Sequence, residues 1–159
     1  FMRVTTYEIE QNNGIPYLVK ENSVNYNAAS HSDRKLNNSS KVFWLMKDVL
    51  KVDRKAEEHV WIFGLDNSCK LLGVFDVFKG VNQCISSPRE IFLRLLLSGA
   101  SSFIMAHNHT SDETEPSRLD LETTKKMDEL SKMMGIRLMD HVIAGRETFY
   151  SFADNGLIK

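Results

Sequence analysis

The first residues of the chain alternate between apolar and polar positions, as paired strands do. Apolar side chains precede the turn Asn12-Asn13-Gly14 and recur at every second position from Ile15 to Val19. Asn-Gly is a favoured hairpin turn, and successive side chains of a strand point to opposite faces. The pattern therefore predicts a β-hairpin over residues 2–20. Residues 21–40 are rich in Asn, Ser, Lys and Asp, and they predict a polar linker or long loop.

Further along, the apolar spacing becomes helical and then strand-like. Residues 41–52 carry one apolar face, and Ser39 or Ser40 is the expected N-cap of that helix. The run 60–65 is apolar on both faces, which is typical of a strand covered on two sides. A polar turn then leads into a second strand over 71–78.

The rest of the chain alternates helices and strands. Ser87 as N-cap, Pro88 at the first helical position and Glu90 three residues after the cap predict a helix that ends at Gly99. The later elements are a strand over 101–106, a helix over 118–134 closed by Gly135, and strands over 136–144 and 149–152. Together the elements predict a mixed α/β domain with strand pairs and with helices on both sides.

Composition and charge narrow the functional class. The chain has 159 residues, of which 42% are hydrophobic and 26% charged, and no apolar run is long enough to cross a membrane. Phe1-Met2-Arg3 lacks an apolar signal region, so a soluble cytoplasmic protein is expected. The net charge of −1 gives no broad positive field, so strong nucleic-acid binding is not expected.

The two cysteines, Cys69 and Cys84, predict no disulfide framework. We expect them to be thiols in the core. They could join histidines in a Cys₂His₂ metal site, but they lack the close spacing that such sites use.

The residues that suggest chemistry follow the strand at 101–106. His107 and His109 are two positions apart, so on an extended chain both imidazoles point the same way and can share one ion. Asp120 lies eleven residues after His109, in the first turn of the next helix. A loop that folds back can bring its carboxylate to the same point. Two imidazoles and one carboxylate leave a fourth tetrahedral position for water, as in catalytic zinc sites.

Each of these residues also has a structural interpretation. A His-x-His pair is common in surface loops. Asp120 can be the third helical residue of a capping box whose N-cap is Ser117. The residues alone leave both interpretations open.

The spacing as a whole is more specific. His107-Asn108-His109, seven residues, Ser117, two residues and Asp120 match the JAMM signature, H-x-H-x₇-S-x₂-D. Residues 40–156 resemble the RadC-like branch of the JAB/MPN metallopeptidase superfamily. Further segments that carry the resemblance are Glu58-His59, Leu65-Asp66, Ser87-Pro88-Arg89-Glu90-Ile91-Phe92, Pro116-Ser117-Arg118, Gly135-Ile136 and Asp140-His141-Val142-Ile143-Ala144-Gly145.

The resemblance implies an MPN/JAB-like fold, of the cytidine-deaminase-like type, with a central mixed β-sheet flanked by helices. It also implies a Zn²⁺ ion held by His107, His109 and Asp120. The family's general-base carboxylate corresponds to Glu58, and its transition-state hydroxyl corresponds to Ser117. Zinc lowers the pKa of bound water toward about 7, so a nearby carboxylate can take its proton.

Other acidic residues compete for the role of base. Glu57 adjoins Glu58 but points the opposite way if the strand has already begun there. Glu90 is explained by its capping role. Asp140 and His141 fall on a predicted strand, and we interpret them as a hydrogen-bonded structural pair in preference to catalytic groups.

The chain departs from the family pattern in two places. Family members usually read His-Asn-His-Pro-Ser-Gly, whereas Thr110 and Asp112 stand here at the Pro and Gly positions. This predicts a loop of different conformation and an acidic residue near the metal, while metal affinity is expected to survive. Full-length RadC proteins usually carry an N-terminal helix-hairpin-helix region, which residues 1–39 do not resemble. We therefore divide the chain into a hairpin and linker (1–39) and a RadC-like JAB/MPN domain (40–159).

Three functions compete. The first is zinc-dependent hydrolysis of an amide bond in a peptide or protein substrate by a metallopeptidase or isopeptidase. The second is a non-enzymatic MPN-fold module that acts by protein contacts. The third, DNA repair, rests only on the historical RadC name. The intact ligand set with Glu58 and Ser117 favours the enzyme, since a module has no need of an open zinc position. Membrane partners are not expected.

Overall fold

A computed structural model describes residues 1–27, 33–80 and 87–159. Within these ranges the chain forms a seven-stranded sheet and three α-helices. The strands are β1 (Met2–Asn12), β2 (Ile15–Tyr26), β3 (Glu58–Leu65), β4 (Leu71–Gly80), β5 (Ser102–Asn108), β6 (Arg137–Ala144) and β7 (Phe149–Ser151), and the helices are α1 (Ser39–Asp48), α2 (Pro88–Ser98) and α3 (Arg118–Met134). None of these helices has the length and apolar character needed to span a membrane.

The sheet has the strand order β2-β1-β4-β3-β5-β6-β7. The pairs β1–β4 and β5–β6 are parallel, and the pairs β1–β2, β3–β4, β3–β5 and β6–β7 are antiparallel. The sheet is therefore mixed, and the predicted mixed α/β class is confirmed.

Helices cover both faces of the central strands. On one face, Phe43 and Met46 of α1 pack in a core that includes Trp61 and Phe63 of β3. On the other face lies a second core, formed by residues of α2, α3, β3, β5 and β6, among them Leu95, Met127, Ile62, Phe103 and Leu138. Because apolar layers lie on both sides, β3 and β5 carry almost continuous apolar sequence.

The N-terminal hairpin is confirmed and is longer than predicted. Asn13 and Gly14 both have positive φ (50° and 80°), as a tight two-residue turn requires. β2 continues to Tyr26, past residue 20, because Met2 pairs with Tyr26 at the far end of the ladder. The buried Tyr26 also donates its hydroxyl hydrogen to Asp48 at 2.5 Å. Residues 21–26 are therefore strand, although their polar composition predicted a linker.

The start of α1 differs from the prediction. Asn38, and neither Ser39 nor Ser40, is the N-cap, and its side-chain oxygen accepts a hydrogen bond from the Lys41 N–H at 2.9 Å. The hydroxyl of Ser39 instead donates to Asp154. The helix ends at Asp48, before the predicted end at residue 52.

The start of α2 also lacks the predicted capping box. Pro88 does begin the helix and Gly99 ends it, but the Ser87 side chain makes no capping hydrogen bond. The Glu90 carboxylate is paired with Arg94 at 3.1 Å and with Arg89 at 2.9 Å. Glu90 is therefore held by ion pairs and does not cap the helix.

Cys69 does not lie in the core as expected. It occupies the turn between β3 and β4, where it is half-buried and has φ of 61°. Its carbonyl accepts a hydrogen bond from Leu36, which places its thiol in a surface turn. Cys84 lies outside the described residues, so the expectation for it stays a prediction.

Asp140 joins the last strands of the sheet. Its Oδ2 accepts a hydrogen bond from the Ser151 hydroxyl at 2.6 Å, and its Oδ1 accepts from the N–H groups of Ala153 at 2.9 Å and His141 at 2.7 Å. The residue is only 7% exposed, and burial raises the pKa of its carboxyl group. Asp140 is thus a structural residue, as the sequence suggested.

We expect the substitution Asp140→Ala to lower the free energy of unfolding by about 2–4 kcal/mol, because it leaves three buried donors without an acceptor. Urea unfolding followed by circular dichroism would measure the loss. Glu122→Ala, which removes a carboxylate that is 59% exposed, is the control and should change stability by less than about 0.5 kcal/mol. Equal effects of the two substitutions would contradict the structural role.

Candidate metal centre

β5 places the side chain of His107 on the face of the sheet that packs against α2 and α3. The strand runs two residues further than predicted, through Asn108, and every one of its residues is buried. Side chains alternate along it, so His107 projects from the same face as Phe103 and Met105, which belong to the core under α2 and α3. His107 is 1% exposed. An imidazole this deeply buried needs polar partners.

The N-terminus of α3 brings Asp120 to the same place. Ser117 is the N-cap, and its hydroxyl oxygen accepts a hydrogen bond from the Asp120 N–H at 3.1 Å. In return, Asp120 Oδ2 accepts from the Ser117 N–H at 2.9 Å. The capping-box interpretation of Asp120 is therefore confirmed, but it uses only one carboxylate oxygen. The other, Oδ1, is buried without a hydrogen-bond partner in the described part of the chain.

The contacts of His109 define its protonation. Its Nδ1 lies 2.7 Å from the carbonyl oxygen of Glu113, which can only accept, so Nδ1 carries a hydrogen. Its Nε2 lies 3.1 Å from Asp120 Oδ2, which is also an acceptor. A neutral His109 would therefore point a lone pair at a carboxylate. A proton or a metal cation between the two atoms removes that conflict.

The ring nitrogens of His107 also face carboxylates and lack hydrogen-bond partners among the described residues. Its Nδ1 lies 3.5 Å from Asp120 Oδ1, and its Nε2 lies 3.5 Å from Glu58 Oε2. Neither nitrogen forms a hydrogen bond with the described residues. Buried polar atoms are nearly always paired, so these atoms fit a ligand that completes the site.

Glu58 is the first residue of β3 and faces the histidines. Val60 lies opposite His107 in the antiparallel pair, and Glu58, two positions earlier, projects from the same face. A cavity of about 230 Å³ lies between these elements. Its lining residues are Glu58, His107, His109, Ser111, Ser117, Leu119 and Asp120. The five residues chosen from the sequence thus line one cavity.

The competing acidic residues lie elsewhere. Glu57 points away from the cavity, toward Lys79, whose ammonium group is 3.7 Å from its carboxylate. Glu90 is held by two arginines on α2. Of the three glutamates considered, Glu58 is the one that lines the cavity.

One compact group of possible metal ligands is found among the described residues, and Asp120 lies beside it. Ligand atoms of Glu58, His107 and His109 lie within 4.8 Å of one another, as required for one ion. Asp120 is not part of that group: its Oδ2 lies 3.1 Å from His109 Nε2, and its Oδ1 lies 3.5 Å from His107 Nδ1, the ring nitrogen opposite the one that faces Glu58. Imidazole and carboxylate groups suit zinc and other divalent transition metals. The donors therefore fit a metal ion, with Glu58 in the compact group and Asp120 next to both histidines.

Asn108 is a residue of the site that the sequence interpretation missed. Its side-chain oxygen accepts a hydrogen bond from the His59 N–H at 2.7 Å, and its side-chain nitrogen donates to the Glu57 carbonyl at 3.1 Å. These two backbone groups flank Glu58. An amide side chain offers a donor and an acceptor as a peptide group does, so Asn108 extends the β3–β5 pairing by one position. The only signal in the sequence was an amide between the two histidines.

Two buried hydrogen bonds connect the backbone of Asp120, through Thr124, to His141. The Thr124 hydroxyl donates to the Asp120 carbonyl at 2.7 Å and lies 2.6 Å from His141 Nδ1. Burial lowers the pKa of His141 to about 3, so its ring is neutral, and its Nδ1–H donates to Thr124. His141 also stacks on Phe152, with ring centroids 4.6 Å apart. The His141 Nε2 is buried without a hydrogen-bond partner among the described residues, so its structural interpretation stays a prediction.

The loop after His109 is tied to the β6–β7 turn. Asp112 has φ of 66°, the left-handed conformation that Gly adopts freely, so the exchange of Gly for Asp does not prevent this backbone shape. Its carboxylate accepts a hydrogen bond from the Arg146 N–H at 2.5 Å. Among the residues described around the metal cavity, the loop contributes Ser111 and not Asp112. The acidic group expected near the metal is thus directed to Arg146.

His109 and Asp120 shift each other's pKa in opposite directions. Burial lowers the pKa of His109, but the hydrogen bonds to Asp120 and to the Glu113 carbonyl outweigh burial, and the pKa lies above its ordinary value. Burial raises the pKa of Asp120, but the hydrogen bonds from His109 and from the Ser117 N–H, together with the charge of His107, hold it well below its ordinary value. Without a metal, the two groups form an ion pair.

This pair predicts a pH-dependent stability for protein treated with a chelator. The raised pKa of His109 gives stability that is complete below its unfolded pKa of about 6.5 and is lost as the pH rises through the folded pKa. The lowered pKa of Asp120 gives stability that is present above about pH 4. We therefore expect His109→Gln to cost more stability at pH 6 than at pH 8.5 in urea unfolding. Lys125→Gln, which removes an exposed charge of α3, is the control, and a His109 effect that did not change with pH would contradict the ion pair.

Comparison with known proteins agrees with this geometry. The family model described as RadC-like JAB domain matches residues 36–157. A UPF0758 protein of Clostridium perfringens is 36% identical over 125 residues, which cover 78% of this chain and 54% of the relative. A UPF0758 protein of Methanosarcina mazei is 35% identical over 127 residues, which cover 79% and 55%. The chain spans about half the length of the curated relatives that it matches. By both comparisons, the chain belongs to the RadC-like JAB domain family.

Proposed function

We propose that this protein is a zinc-dependent hydrolase that cleaves an amide bond of a peptide or protein, as a metallopeptidase or isopeptidase. The observation that carries the proposal is the set of buried atoms without partners. Both His107 nitrogens and Asp120 Oδ1 lack hydrogen bonds within the described chain, and they border a cavity of about 230 Å³ that Glu58 also lines. A structural role would be served better by apolar residues or by paired polar ones.

We assign His107, His109 and Asp120 as the zinc ligands. Asp120 is 1% exposed and has a free buried oxygen, and such a carboxylate is costly unless a cation pairs with it. The Glu58 side chain is 18% exposed and can be solvated where it stands. Two imidazoles and one carboxylate form a known catalytic zinc set that leaves one position open.

Glu58 is then the general base. Zinc, when bound, lowers the pKa of water toward about 7 and polarises a carbonyl group. Glu58 accepts the proton of the attacking water and delivers it to the amine that leaves. The Asn108 hydrogen bonds to the backbone on both sides of Glu58 keep this carboxylate at the cavity.

Ser117 is suited to stabilise the developing oxyanion. Its hydroxyl oxygen already accepts the Asp120 N–H, so its own hydrogen is free to be donated. Because Ser117 lines the cavity, that hydrogen can be directed at a carbonyl oxygen of the substrate. Capping and catalysis thus use different parts of the same hydroxyl.

The ligand assignment predicts about one zinc per chain in protein purified without added metal, because three convergent ligands would hold it. His109→Ala and Asp120→Ala should each lose the zinc, whereas Glu58→Gln should retain it. Elemental analysis by mass spectrometry measures the content, and His59→Gln, which removes another buried histidine, is the matched control. Loss of zinc in Glu58→Gln with retention in Asp120→Ala would instead assign Glu58, His107 and His109 as the ligands.

The base assignment predicts that Glu58→Gln lowers turnover by about 10²–10⁴-fold, because it keeps the shape of the side chain and removes its basicity. A peptide library incubated with the zinc-loaded protein first identifies a cleaved sequence. Glu57→Gln is the control and should cleave that sequence at nearly the wild-type rate.

Two outcomes would contradict this mechanism. Wild-type turnover in Glu58→Gln would exclude Glu58 as the base. Failure of the zinc-loaded wild-type protein to cleave any amide, in peptides or in ubiquitin-like conjugates, would favour the non-enzymatic protein-interaction module.

A further inference from the structure

A second cavity lies on the other side of His109. Its volume is about 220 Å³, and His109 also lines the first cavity. Its lining residues are Val52, Asp53, Arg54, Lys55, Ala56, His109, Thr110, Gly145 and Arg146. His109 is one of the proposed metal ligands, so a group bound in the second cavity lies beside that ligand and within reach of the same substrate.

The second cavity carries uncompensated positive charge. Arg54 and Lys55 are exposed, and neither has an acidic partner within 4 Å among the residues that the structure describes. Arg146 is shared with Asp112, whose carboxylate lies 3.5 Å from the guanidinium. Asp53 is the one acidic residue of the lining, and its Oδ1 is buried without a hydrogen-bond partner among the described residues. Two cations therefore remain free to bind an anion.

Both walls of the second cavity are anchored. On one wall, Val52 is 6% exposed and packs in the core around α1, and hydrogen bonds from Arg54 to Lys51 and from Lys55 to Val52 fix the turn that carries the cations. On the other wall, the Gly145 N–H donates to Thr148 at 2.8 Å.

The opposite wall also requires a glycine. A Cβ atom at Gly145 would lie 2.5 Å from Asp112 Oδ1, so a larger residue cannot occupy this position without moving the loop. Thr110 lines the cavity, and the Asp112 carboxylate accepts a hydrogen bond from the Arg146 N–H. The two positions that depart from the family pattern thus both shape this cavity.

We propose that the second cavity is a subsite for a carboxylate group of the substrate, next to the bond that is cleaved. The proposal rests on the amide-hydrolase function. A guanidinium group binds a carboxylate through two parallel hydrogen bonds, and a lysine adds a point charge. A long polyanion fits poorly, because only two cations are free and the chain has a net charge of −1. The carboxylate can come from a Glu or Asp side chain or from a C-terminus.

Binding tests the subsite without turnover. The zinc-loaded Glu58→Gln protein is titrated by NMR with acetyl-Gly-Gly-Glu-Gly-Gly-amide, with its Gln analogue, and with acetyl-pentaglycine that has a free carboxyl terminus. We expect at least one acidic peptide to bind about tenfold more tightly than the Gln peptide, a difference of about 1.4 kcal/mol. The stronger of the two acidic peptides identifies the source of the carboxylate.

The charge assignment is tested in the same background. Arg54→Gln combined with Lys55→Gln should abolish the preference for the acidic peptide. Lys125→Gln combined with Lys126→Gln removes two exposed charges from α3 and should leave the preference intact. Equal binding of the Glu and Gln peptides, or a preference that survives the Arg54/Lys55 change, would overturn the subsite.

Further results distinguish carboxylate binding from nucleic-acid binding, and the subsite from the hydrolase function. A hexathymidylate that bound more tightly than every acidic peptide, and lost binding in the Arg54/Lys55 variant, would overturn the carboxylate assignment in favour of single-stranded nucleic acid. Acidic-peptide binding that follows the expected pattern, in a protein that cleaves no amide, would support the subsite while the hydrolase function fails. Cleavage of an amide without any preference for acidic residues would support the hydrolase function and overturn the subsite.

Discussion

The antiparallel pairing of β3 with β5 is the constraint on which the site depends. Val60 lies opposite His107 in this register. Glu58 and His107 therefore project from the same face, where β3 begins and β5 ends. A shift of β3 by one residue relative to β5 would place Glu58 and His107 on opposite faces of the sheet. The side chain of Asn108 holds the register where the backbone pairing ends, through its hydrogen bonds on both sides of Glu58. The amide between the histidines thus positions the proposed base.

The helix cap and the proposed metal site share Asp120, so the two interpretations that the sequence left open for this residue are compatible. One carboxylate oxygen completes the capping box with Ser117, and the other faces His107. The cap fixes the carboxylate in one rotamer before any ligand arrives. Because a bound ion then does not have to order this side chain, less entropy is lost on binding. The structural role of Asp120 therefore supports its proposed functional role.

Local patterns predicted much of the fold. The turn at Asn13-Gly14, the doubly buried β3 and the helix over 118–134 each follow from short-range sequence. The errors lie where contacts between distant residues decide the outcome. Polar residues 21–26 form strand because β1 pairs with them, and Asn38 caps α1 because the hydroxyl of Ser39 is used by Asp154.

For the site, the motif predicted which residues line the cavity, but it could not reveal the contacts that surround them. Asn108 acts on backbone groups about fifty residues away, and His141 reaches Asp120 only through Thr124. The charge near His109 was also misplaced, because Asp112 binds Arg146 across the β6–β7 turn. This contact removes a negative charge from the metal cavity and fixes one wall of the second cavity. Asp112, at the position where the family motif usually has Gly, therefore lies away from the proposed metal ligands and helps to form the surface on which a substrate would lie.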